Sequence, residues 1–290
     1  MQIIKQENKI KEYCKILINK DKLISLVPTM GNLHAGHESL IKKARDNGGY
    51  VIVTIFINPL QFDNISDLNK YPKTIEEDLK ILEKHNVDCL YLPNEEDILS
   101  DIDKTSKERM PEYMNRLCGQ YRDNHFNGVY KIVKKLFSII KPADVFFGKK
   151  DYQQLLLVKH INKNVFNDNI NIHECDTIRE ENGLAISSRN IHLSNNEKNQ
   201  ASNVYNALSD FKKKIHKKNI TNNGIFQEWE IFKKLFFYEM KTHNISIEYC
   251  ELLCKTDLTI AYHDQTKLMI FVAFYIPSKE RIRLIDNIEI

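Results

Sequence analysis

The sequence predicts an α/β fold, with an open, mostly parallel sheet covered by helices on both faces and a smaller α+β domain after it. From residue 23 to residue 178, apolar β-branched runs alternate with helical patterns, and strands joined through helices lie parallel. Beyond residue 183 the order changes to helical patterns followed by strand-like runs. We therefore predict a first domain over residues 1–185 and a second over residues 186–290.

The elements of the first domain follow from apolar spacing and β-branched runs. Strands are predicted over residues 23–27, 51–57, 88–92, 145–147 and 170–178, and helices over residues 3–20, from 34 onward, 75–82, 125–140 and 155–165. Pro28 should end the first strand because proline lacks the N–H that a strand ladder needs. Thr74 and Glu77 fit a capping box. Residues 94–121 are polar and predict irregular chain with one or two helical turns.

The second domain reads as helices followed by strands. Its helical patterns cover residues 194–217 and 223–243, and its strand-like runs cover residues 247–253, 267–275 and 281–285. Cys250 and Cys254 fall in the first of these runs, where small buried hydrophobic residues are expected rather than metal ligands. This order is typical of a small α+β domain.

Composition and charge are those of an ordinary globular protein. Of the 290 residues, 42% are hydrophobic, and the net charge of +3 does not indicate a nucleic-acid partner. No stretch reaches the ~20 apolar residues of a membrane span, and residues 1–20 lack the apolar centre of a signal peptide. The six scattered cysteines include no CxxC pair and are expected to be reduced. We therefore predict a cytoplasmic protein with no membrane partner.

The first chemical motif lies at the end of the first predicted strand, where Gly31 is followed by His34 and His37 at a helix start. A helix N-terminus offers unpaired N–H groups and favours anions such as phosphate. Histidines at positions i and i+3 share one helical face, and each ring can donate an N–H to phosphate. Gly36 should let a ligand approach the backbone. The alternatives are a surface cap or half of a metal site, although zinc-binding helices favour i,i+4 spacing.

Three further loops follow predicted strands and carry polar groups. Gln61 could hydrogen-bond a small polar substrate or be an ordinary turn residue. After Gly148, Lys150 and Asp151 could hold the phosphate and ribose of a nucleotide, although Asp is also a common helix N-cap. The hydroxyl and guanidinium groups over residues 187–189 suit a triphosphate or an ordinary polar linker. Loops after parallel strands meet at one edge of the sheet, which favours a shared nucleotide site.

Seven sequence blocks occur in the order typical of one enzyme family and span nearly the whole chain. They are residues 27–37 (VPTMGNLHAGH), 56–62 (FINPLQF), 71–74 (YPKT), 125–129 (HFNGV), 146–155 (FFGKKDYQQL), 179–190 (REENGLAISSRN) and 284–287 (LIDN). Together they resemble the pantoate–β-alanine ligase family.

The resemblance implies a Rossmann-like nucleotide-binding domain of the HIGH-type nucleotidyltransferase superfamily, related to class I aminoacyl-tRNA synthetases, and a C-terminal lid domain. It implies an AMP-forming ligase that joins pantoate to β-alanine through a pantoyl adenylate and releases pyrophosphate. ATP is then a substrate, Mg²⁺ a cofactor, and the enzyme a homodimer. Lys150 and Arg189, helped by the histidines and Mg²⁺, would neutralise the charge that two anionic substrates bring together.

The resemblance also implies roles for individual residues. The catalytic set is His34, His37, Lys150, Ser188 and Arg189. The ATP-binding set is Met30, His34, Gly36, His37, Gly148, Lys150, Asp151, Ile178, Ser187, Ser188 and Arg189. Pantoate would contact Met30, Gln61 and Gln154, with Tyr71 and Arg122 as further active-site positions. Asp78 and Glu77 match the acidic pair near Mg²⁺.

Four positions depart from the family pattern, and two other functions stay open. Lys149 stands where Glu is frequent, Asp123 where Pro is usual, Ile186 where Met is common and Glu77 where Asp is usual. The longer Glu77 arm could bind the metal through water. The alternatives are a nucleotidyltransferase of the same fold, which does not explain Gln61 and Gln154, and a non-catalytic nucleotide- or RNA-binding relative. The full set of phosphate-binding side chains argues against the second.

Overall fold

The structure, a computed structural model, describes residues 1–217, 222–260, 267–277 and 281–290. The chain divides into two compact units: residues 1–114 with 119–176, and residues 115–118 with 177–290. The sequence predicts the domain boundary at 185/186, whereas the long segment of the second unit begins at residue 177. The whole 179–190 block therefore belongs to the second unit. The lid role of that unit stays a prediction.

The first unit contains a parallel sheet of six described strands. In chain order they are β1 (Gln2–Ile4), β2 (Ile24–Thr29), β3 (Tyr50–Ile55), β4 (Cys89–Tyr91), β5 (Asp144–Gly148) and β6 (Asn171–Cys175). Their order in the sheet is β1-β4-β3-β2-β5-β6, with every neighbouring pair parallel. The carboxyl ends of the strands therefore share one edge, as the sequence predicts.

Eight helices of the described chain precede or connect these strands. They are α1 (Glu7–Asn19), α2 (Ala35–Asp46), α3 (Ile65–Lys70), α4 (Ile75–Lys84), α5 (Glu95–Leu99), α6 (Cys118–Tyr121), α7 (His125–Ile140) and α8 (Tyr152–Val165). The predicted bounds of α7 are confirmed to the residue. Residues 94–121 hold only α5, a 3-10 turn at Glu112–Asn115 and the short α6, which fits the prediction of irregular chain.

Three local predictions are wrong. Residues 2–4 form the edge strand β1 and not part of the first helix, because a three-residue edge strand leaves too short a pattern to read. β2 continues through Pro28: its pairing with β5 covers only Ser25 and Leu26, so it tolerates proline as an edge strand does. Thr74 makes no capping hydrogen bond to the backbone, because its hydroxyl instead donates to the Asp78 carboxylate at 3.3 Å.

The core beneath the sheet explains why α2 starts where it does. Leu40, Ile41 and Ala44 lie on one face of α2 and are buried against alternate strand residues, among them Val27 and Val53. Residues of this spacing share a helical face. Burying that face fixes α2 against the sheet, so its N-terminus stands just beyond the end of β2.

The second unit packs two helices with an antiparallel sheet. Its described elements are α9 (Asn195–Lys217), α10 (Asn222–Thr242), β7 (Ser246–Cys254), β8 (Leu268–Ile276) and β9 (Ile282–Glu289), with the strands in the order β7-β8-β9. Trp229 and Phe236 of α10 and Val272 of β8 belong to one buried cluster. Cys250 and Cys254 are buried in β7, as predicted, and none of the six cysteines forms a disulfide. Among the described residues, no helix combines the length and the apolar character of a bilayer-spanning segment.

Candidate active site

The two motif histidines stand at the N-terminus of α2. His34 is the N-cap residue, and its Nδ1 accepts a hydrogen bond from the Gly36 N–H at 3.1 Å. Nδ1 of His37 accepts from the His34 N–H at 3.3 Å, and the two ring centroids are 4.0 Å apart. A neutral imidazole whose Nδ1 accepts carries its proton on Nε2. The structure therefore presents two Nε2–H donors at the anion-binding end of a helix.

Both imidazoles are neutral at neutral pH. Burial, reinforced by the charge of Lys150, lowers the pKa of His34 to about 4. Burial also holds the pKa of His37 well below its ordinary value, with further lowering from His34 and Lys150. Neutral buried rings offer N–H dipoles to a ligand, and their part in neutralising the charge of bound substrates stays a prediction. The positive charge near them comes from Lys150.

Gly36 lies against the His34 ring, and its predicted contact with a ligand stays a prediction. A Cβ at this position would lie 2.9 Å from Cε1 and 3.0 Å from Nδ1 of His34. The place that a side chain would take is thus filled by the His34 ring. Glycine is needed here so that the N-cap ring can fold back over the first turn of α2.

The loop after β5 carries Lys150 and Asp151 on a single 3-10 turn, Lys149–Asp151. Asp151 precedes α8 but makes no capping hydrogen bond, and its carboxylate lies 3.6 Å from the Lys150 ammonium. Gly148 begins the turn, with no atom within 4 Å of the place a Cβ would take. Asp151 is therefore not a simple helix cap. A charged pair beside open backbone suits a nucleotide's phosphate and ribose.

A network of buried amides fixes Gln61. The Asn58 side chain donates to Oε1 of Gln61 at 3.1 Å and to the Gly128 carbonyl at 3.1 Å. Nε2 of Gln61 then lies 3.0 Å from the sulfur of Met30. A Cβ on Gly128 would meet the Leu60 carbonyl oxygen at 2.2 Å, so only glycine lets α7 pack this closely on the turn. The structure thus brings together two predicted pantoate contacts, Met30 and Gln61.

Arg122 supports the same turn from the other side. Its guanidinium donates to the Gln61 carbonyl at 3.2 Å and to Asp63 at 3.3 Å. It also lies 3.2 Å from Nε2 of His125, whose Nδ1 is 3.0 Å from the same Gln61 carbonyl. Because a guanidinium only donates, Nε2 of His125 accepts and its Nδ1 carries the proton.

The remaining first-unit positions lie on elements beside these loops. Tyr71 follows α3 and packs edge-on against Phe62, with ring centroids 5.9 Å apart. Gln154 is half-buried in the first turn of α8. Their roles toward substrate stay predictions.

The two carboxylates expected near Mg²⁺ differ sharply. Glu77 is exposed in the first turn of α4. Asp78 is 1% exposed, and its oxygens accept hydrogen bonds from the backbone N–H groups of Leu33 at 2.7 Å and Asn32 at 3.0 Å. Burial raises the pKa of the Asp78 carboxyl, and these amides offset part of the rise. No cluster of three or more His, Cys, Asp or Glu side chains suited to a metal occurs among the described residues.

In the second unit, the predicted triphosphate loop begins at a β-bridge between Arg179 and Ala185. Ile186 donates its N–H to the Ile178 carbonyl at 3.0 Å. Ser187 caps the 3-10 turn Ser188–His192, and its hydroxyl accepts from the Arg189 N–H at 3.3 Å. The structure thus places the three predicted residues on one ordered turn and not on a linker.

Arg179 joins this loop to β9. Its guanidinium makes two hydrogen bonds to Asp286, at 2.7 and 2.9 Å, and donates to the Gly183 carbonyl at 3.1 Å. The guanidinium carbon also lies 3.4 Å from the centroid of the Tyr205 ring. Asp286 is 5% exposed. The 179–190 and 284–287 sequence blocks therefore meet in one network, which we call the arginine clasp (Arg179, Gly183, Tyr205 and Asp286).

Known proteins resemble the chain along its whole length. A family model described as pantoate-beta-alanine ligase matches residues 2–289. The chain belongs to the pantoate–β-alanine ligase family.

Individual members of the pantoate–β-alanine ligase family support this assignment. A pantothenate synthetase of Thermotoga petrophila is 36% identical over 287 residues, covering 99% of both chains. One from Buchnera aphidicola subsp. Schizaphis graminum is 43% identical over 244 residues, covering 83% of this chain and 85% of its own. Among solved structures, a Thermus thermophilus pantothenate synthetase aligns with a TM-score of 0.86 at 27% identity, covering 100% of this chain and 99% of its own.

A further solved ligase was determined with bound ligands. The pantoate-beta-alanine ligase of Francisella tularensis, complexed with beta-gamma ATP and beta-alanine, aligns with a TM-score of 0.80 at 34% identity, covering 100% of this chain and 97% of its own. The family and the Rossmann-like fold predicted from the sequence blocks are thereby confirmed.

Sequence reasoning gave no role to several residues that organise the candidate site. All of them lie inside the sequence blocks that carry the resemblance, which implies no individual role for them: they are Asn58, His125, Arg179 and Asp286. One local signal was available: Asn58 immediately before Pro59 is typical of a side-chain cap on a turn, and it does accept from the Leu60 N–H at 3.1 Å. The Arg179–Asp286 pair spans 107 positions and leaves no local pattern.

Proposed function

We propose that the chain joins pantoate to β-alanine in an ATP-dependent reaction that releases AMP and pyrophosphate. The observation that carries the proposal is the pair of Nε2–H donors on His34 and His37, backed by the Lys150 charge at a helix N-terminus. N–H donors at a helix N-terminus beside a positive charge suit phosphate. The whole-chain match to pantoate–β-alanine ligases supports the choice of substrates.

In the first half-reaction, a pantoate carboxylate oxygen attacks the α-phosphorus of ATP. The bond from that phosphorus to the β-phosphate oxygen breaks, and pyrophosphate leaves with the electron pair. His34 and His37 donate N–H groups to phosphate oxygens, and Lys150 supplies the charge that offsets the approach of two anions. Ser187, Ser188 and Arg189 are proposed to bind the leaving pyrophosphate. No general base is needed, because the attacking carboxylate is already ionised.

In the second half-reaction, the β-alanine amine attacks the acyl carbon of the pantoyl adenylate. The acyl–oxygen bond breaks, AMP leaves, and the amine loses a proton. Gln61, held by Asn58 against Met30, is proposed to orient pantoate, with Gln154 as a second contact. Much of the rate should come from this positioning, since correctly oriented reactants react with effective molarities of roughly 10⁵ M or more.

Mg²⁺ is proposed as the cofactor, bound mainly by ATP phosphates. Nucleotide-bound Mg²⁺ uses one or two protein carboxylates and retains water. The exposed Glu77 fits the part of that single carboxylate. When bound, the ion would supply charge stabilisation to the phosphates.

We further propose that the enzyme is a homodimer and that it is cytoplasmic. Sedimentation equilibrium of the purified chain tests the first, and a dimer mass is expected. Cell fractionation with antibody detection tests the second.

Exchange of labelled pyrophosphate into ATP tests the proposed reaction. Pantoate is added and β-alanine is left out. Exchange that depends on pantoate is expected, because a reversible acyl-adenylate step returns label to ATP. Folded enzyme with Mg²⁺ that gives neither exchange nor, after β-alanine is added, pantothenate would overturn the assignment and favour a nucleotidyltransferase acting on a phosphate substrate.

A further inference from the structure

The loop between β2 and α2 is built around a buried carboxylate. The loop covers residues 30–34 and holds two consecutive residues with positive φ, Gly31 at 80° and Asn32 at 51°. This shape turns the N–H groups of Asn32 and Leu33 toward Asp78, whose oxygens accept from them at 3.0 and 2.7 Å. Successive backbone N–H groups in such a turn form an anion-binding concavity. Here the anion belongs to the protein itself.

The carboxylate also fits the loop sterically. A Cβ added to Gly31 would stand 3.1 Å from Oδ2 of Asp78 and 3.1 Å from Cγ2 of Ile55. The backbone of Gly31 therefore rests directly on the carboxylate, and any larger residue would press against it. We call this arrangement of Asp78 beneath residues 31–33 the carboxylate clasp.

The hydrogen-bonding capacity of Asp78 is largely used within the protein. Oδ1 accepts from the Leu33 N–H at 2.7 Å and from the Thr74 hydroxyl at 3.3 Å. Oδ2 accepts from Asn32 and faces Gly31. The residue is 1% exposed. Mg²⁺ demands near-octahedral coordination at about 2.1 Å and usually retains several waters, so the site does not fit Asp78 as a direct ligand.

The neighbouring carboxylate has the opposite surroundings. Glu77 is exposed at the same end of α4, one residue earlier. A side chain in this environment can reach a solvated ion without breaking bonds inside the protein. The acidic pair thus divides into one carboxylate that faces the loop and one that faces solvent.

We propose that Asp78 is a positioning residue that sets the geometry of residues 30–34, and that Glu77 is the member of the acidic pair available to ATP-bound Mg²⁺. The clasp fixes the residues on either side of it, Met30 of the pantoate contacts and His34 of the phosphate contacts. What those residues bind rests on the proposed function. The clasp itself rests only on the contacts of the loop.

The test compares Asp78→Asn with Glu77→Gln. Asparagine keeps the shape of Asp78 but replaces one acceptor oxygen by an NH₂ group, which then faces a backbone N–H donor. Hydrogen exchange at the amides of residues 32 and 33 should accelerate roughly ten- to hundredfold, because a bond to a charged acceptor is lost. Pantoate-dependent pyrophosphate exchange should slow by roughly a hundredfold, the effect of a misplaced binding group. The Mg²⁺ concentration for half-maximal rate should not change.

Glu77→Gln should give the reverse pattern. The Mg²⁺ requirement rises, while exchange at the two loop amides stays at the wild-type rate. If Asp78→Asn raises the Mg²⁺ requirement and leaves those amides unchanged, Asp78 is a metal ligand and the proposal is wrong.

Thr74→Val keeps the test decisive if Asp78→Asn does not fold. It removes only the weakest donor to Asp78, so the same two amides should exchange severalfold faster with an unchanged Mg²⁺ requirement. Unchanged amide exchange in this variant, with a higher Mg²⁺ requirement, would overturn the proposal. Amide exchange needs no turnover, so it reports on the clasp even if wild-type enzyme shows no pyrophosphate exchange. That last result would count against the proposed function alone.

Discussion

Two loops that carry predicted phosphate-binding residues are held by opposite chemistry. In the first unit, the carboxylate of Asp78 collects backbone N–H groups of residues 32 and 33. In the second unit, the guanidinium of Arg179 donates hydrogen bonds to the backbone carbonyls of residues 183 and 287, while Asp286 balances its charge. A carboxylate only accepts and a guanidinium only donates. The identity of the clasping side chain therefore dictates which backbone groups turn inward.

The two clasps differ in what supplies their charge balance. Asp78 is held by backbone dipoles and one hydroxyl, whereas Arg179 has a full counter-charge in a bidentate pair and the face of Tyr205. Removing a partner from a buried ion pair leaves an uncompensated charge, which costs more than losing a dipole. The second loop should therefore respond to mutation mainly through stability, and the first mainly through geometry and rate.

The largest expected effect on stability comes from Asp286→Ala. The substitution leaves the Arg179 guanidinium without its counter-charge among mostly buried groups. We expect the free energy of unfolding to fall by about 3 kcal/mol, the lower end of the range for a broken buried pair, because some solvent can reach the arginine. Urea unfolding followed by tryptophan fluorescence measures the change.

Glu289→Ala is the matched control for this loss. Glu289 lies at the end of the same strand and pairs with Lys255, but the two side chains are 47% and 25% exposed. Exposed pairs contribute under about 1 kcal/mol. Equal losses in the two variants would show that the arginine clasp is no stronger than a surface ion pair.

The next expected effect is on the rate of adenylation and concerns Lys150, whose charge lies near the histidines beside the first loop. Burial is the main cause of the low pKa values of His34 and His37, and Lys150 supplies the positive charge beside them. Lys150→Ala should slow pantoate-dependent adenylation about a hundred- to a thousandfold, because removing one group that stabilises transition-state charge costs roughly 2.7–4 kcal/mol. Single-turnover kinetics measures this rate.

Lys149→Ala controls for charge and backbone position. Its ammonium pairs with Asp176 at 2.7 Å on the solvent side of the same turn. Adenylation by this variant should stay within a few-fold of wild type. A Lys150→Ala rate near wild type would mean that the histidine loop works without a neighbouring charge.

A smaller effect should follow from removing the ring that faces Arg179. Tyr205→Leu keeps an apolar side chain but abolishes the cation–π contact, which is worth about 0.5–2 kcal/mol. The unfolding free energy should fall by that amount. Tyr205→Phe keeps the ring face and should match wild type within about 0.5 kcal/mol. The contact is unimportant if the leucine and phenylalanine variants are equally stable.

Much of the fold could be predicted because it follows from the local periodicity of apolar residues. The bounds of α7 and the alternation of strands and helices in the first unit follow from apolar spacing alone. Pro28 shows where local rules stop, because its tolerance depends on how far β5 extends beside β2. That length is a tertiary property, and no residue near Pro28 reveals it.

In the candidate site, too, some features follow from local sequence and others only from the tertiary structure. Residue type and helix position were enough to predict His34 and His37 as N–H donors, and their Nδ1 contacts agree. Their neutrality depends on burial and on Lys150, more than a hundred positions away in the chain. Asp78 was assigned to Mg²⁺ through a family pattern that gives residue type but not surroundings. Its burial and its loop donors, found only in the structure, separate it from Glu77.

The smallest expected effect is on the pH dependence of stability, which should differ between the two loops. His34 has a folded-state pKa of about 4 against an ordinary 6.5, so the unfolded chain binds a proton first as pH falls. Its contribution to stability is therefore complete above pH 6.5 and is lost as pH falls from 6.5 toward 4. Between pH 7 and pH 6, His34→Gln should lose roughly 0.7 kcal/mol less stability than wild type does. Tyr205→Phe in the arginine clasp changes no group that titrates there and should follow the wild-type slope. Parallel slopes for wild type and His34→Gln would mean that His34 is not held neutral, and the first loop would then share the charged chemistry of the second.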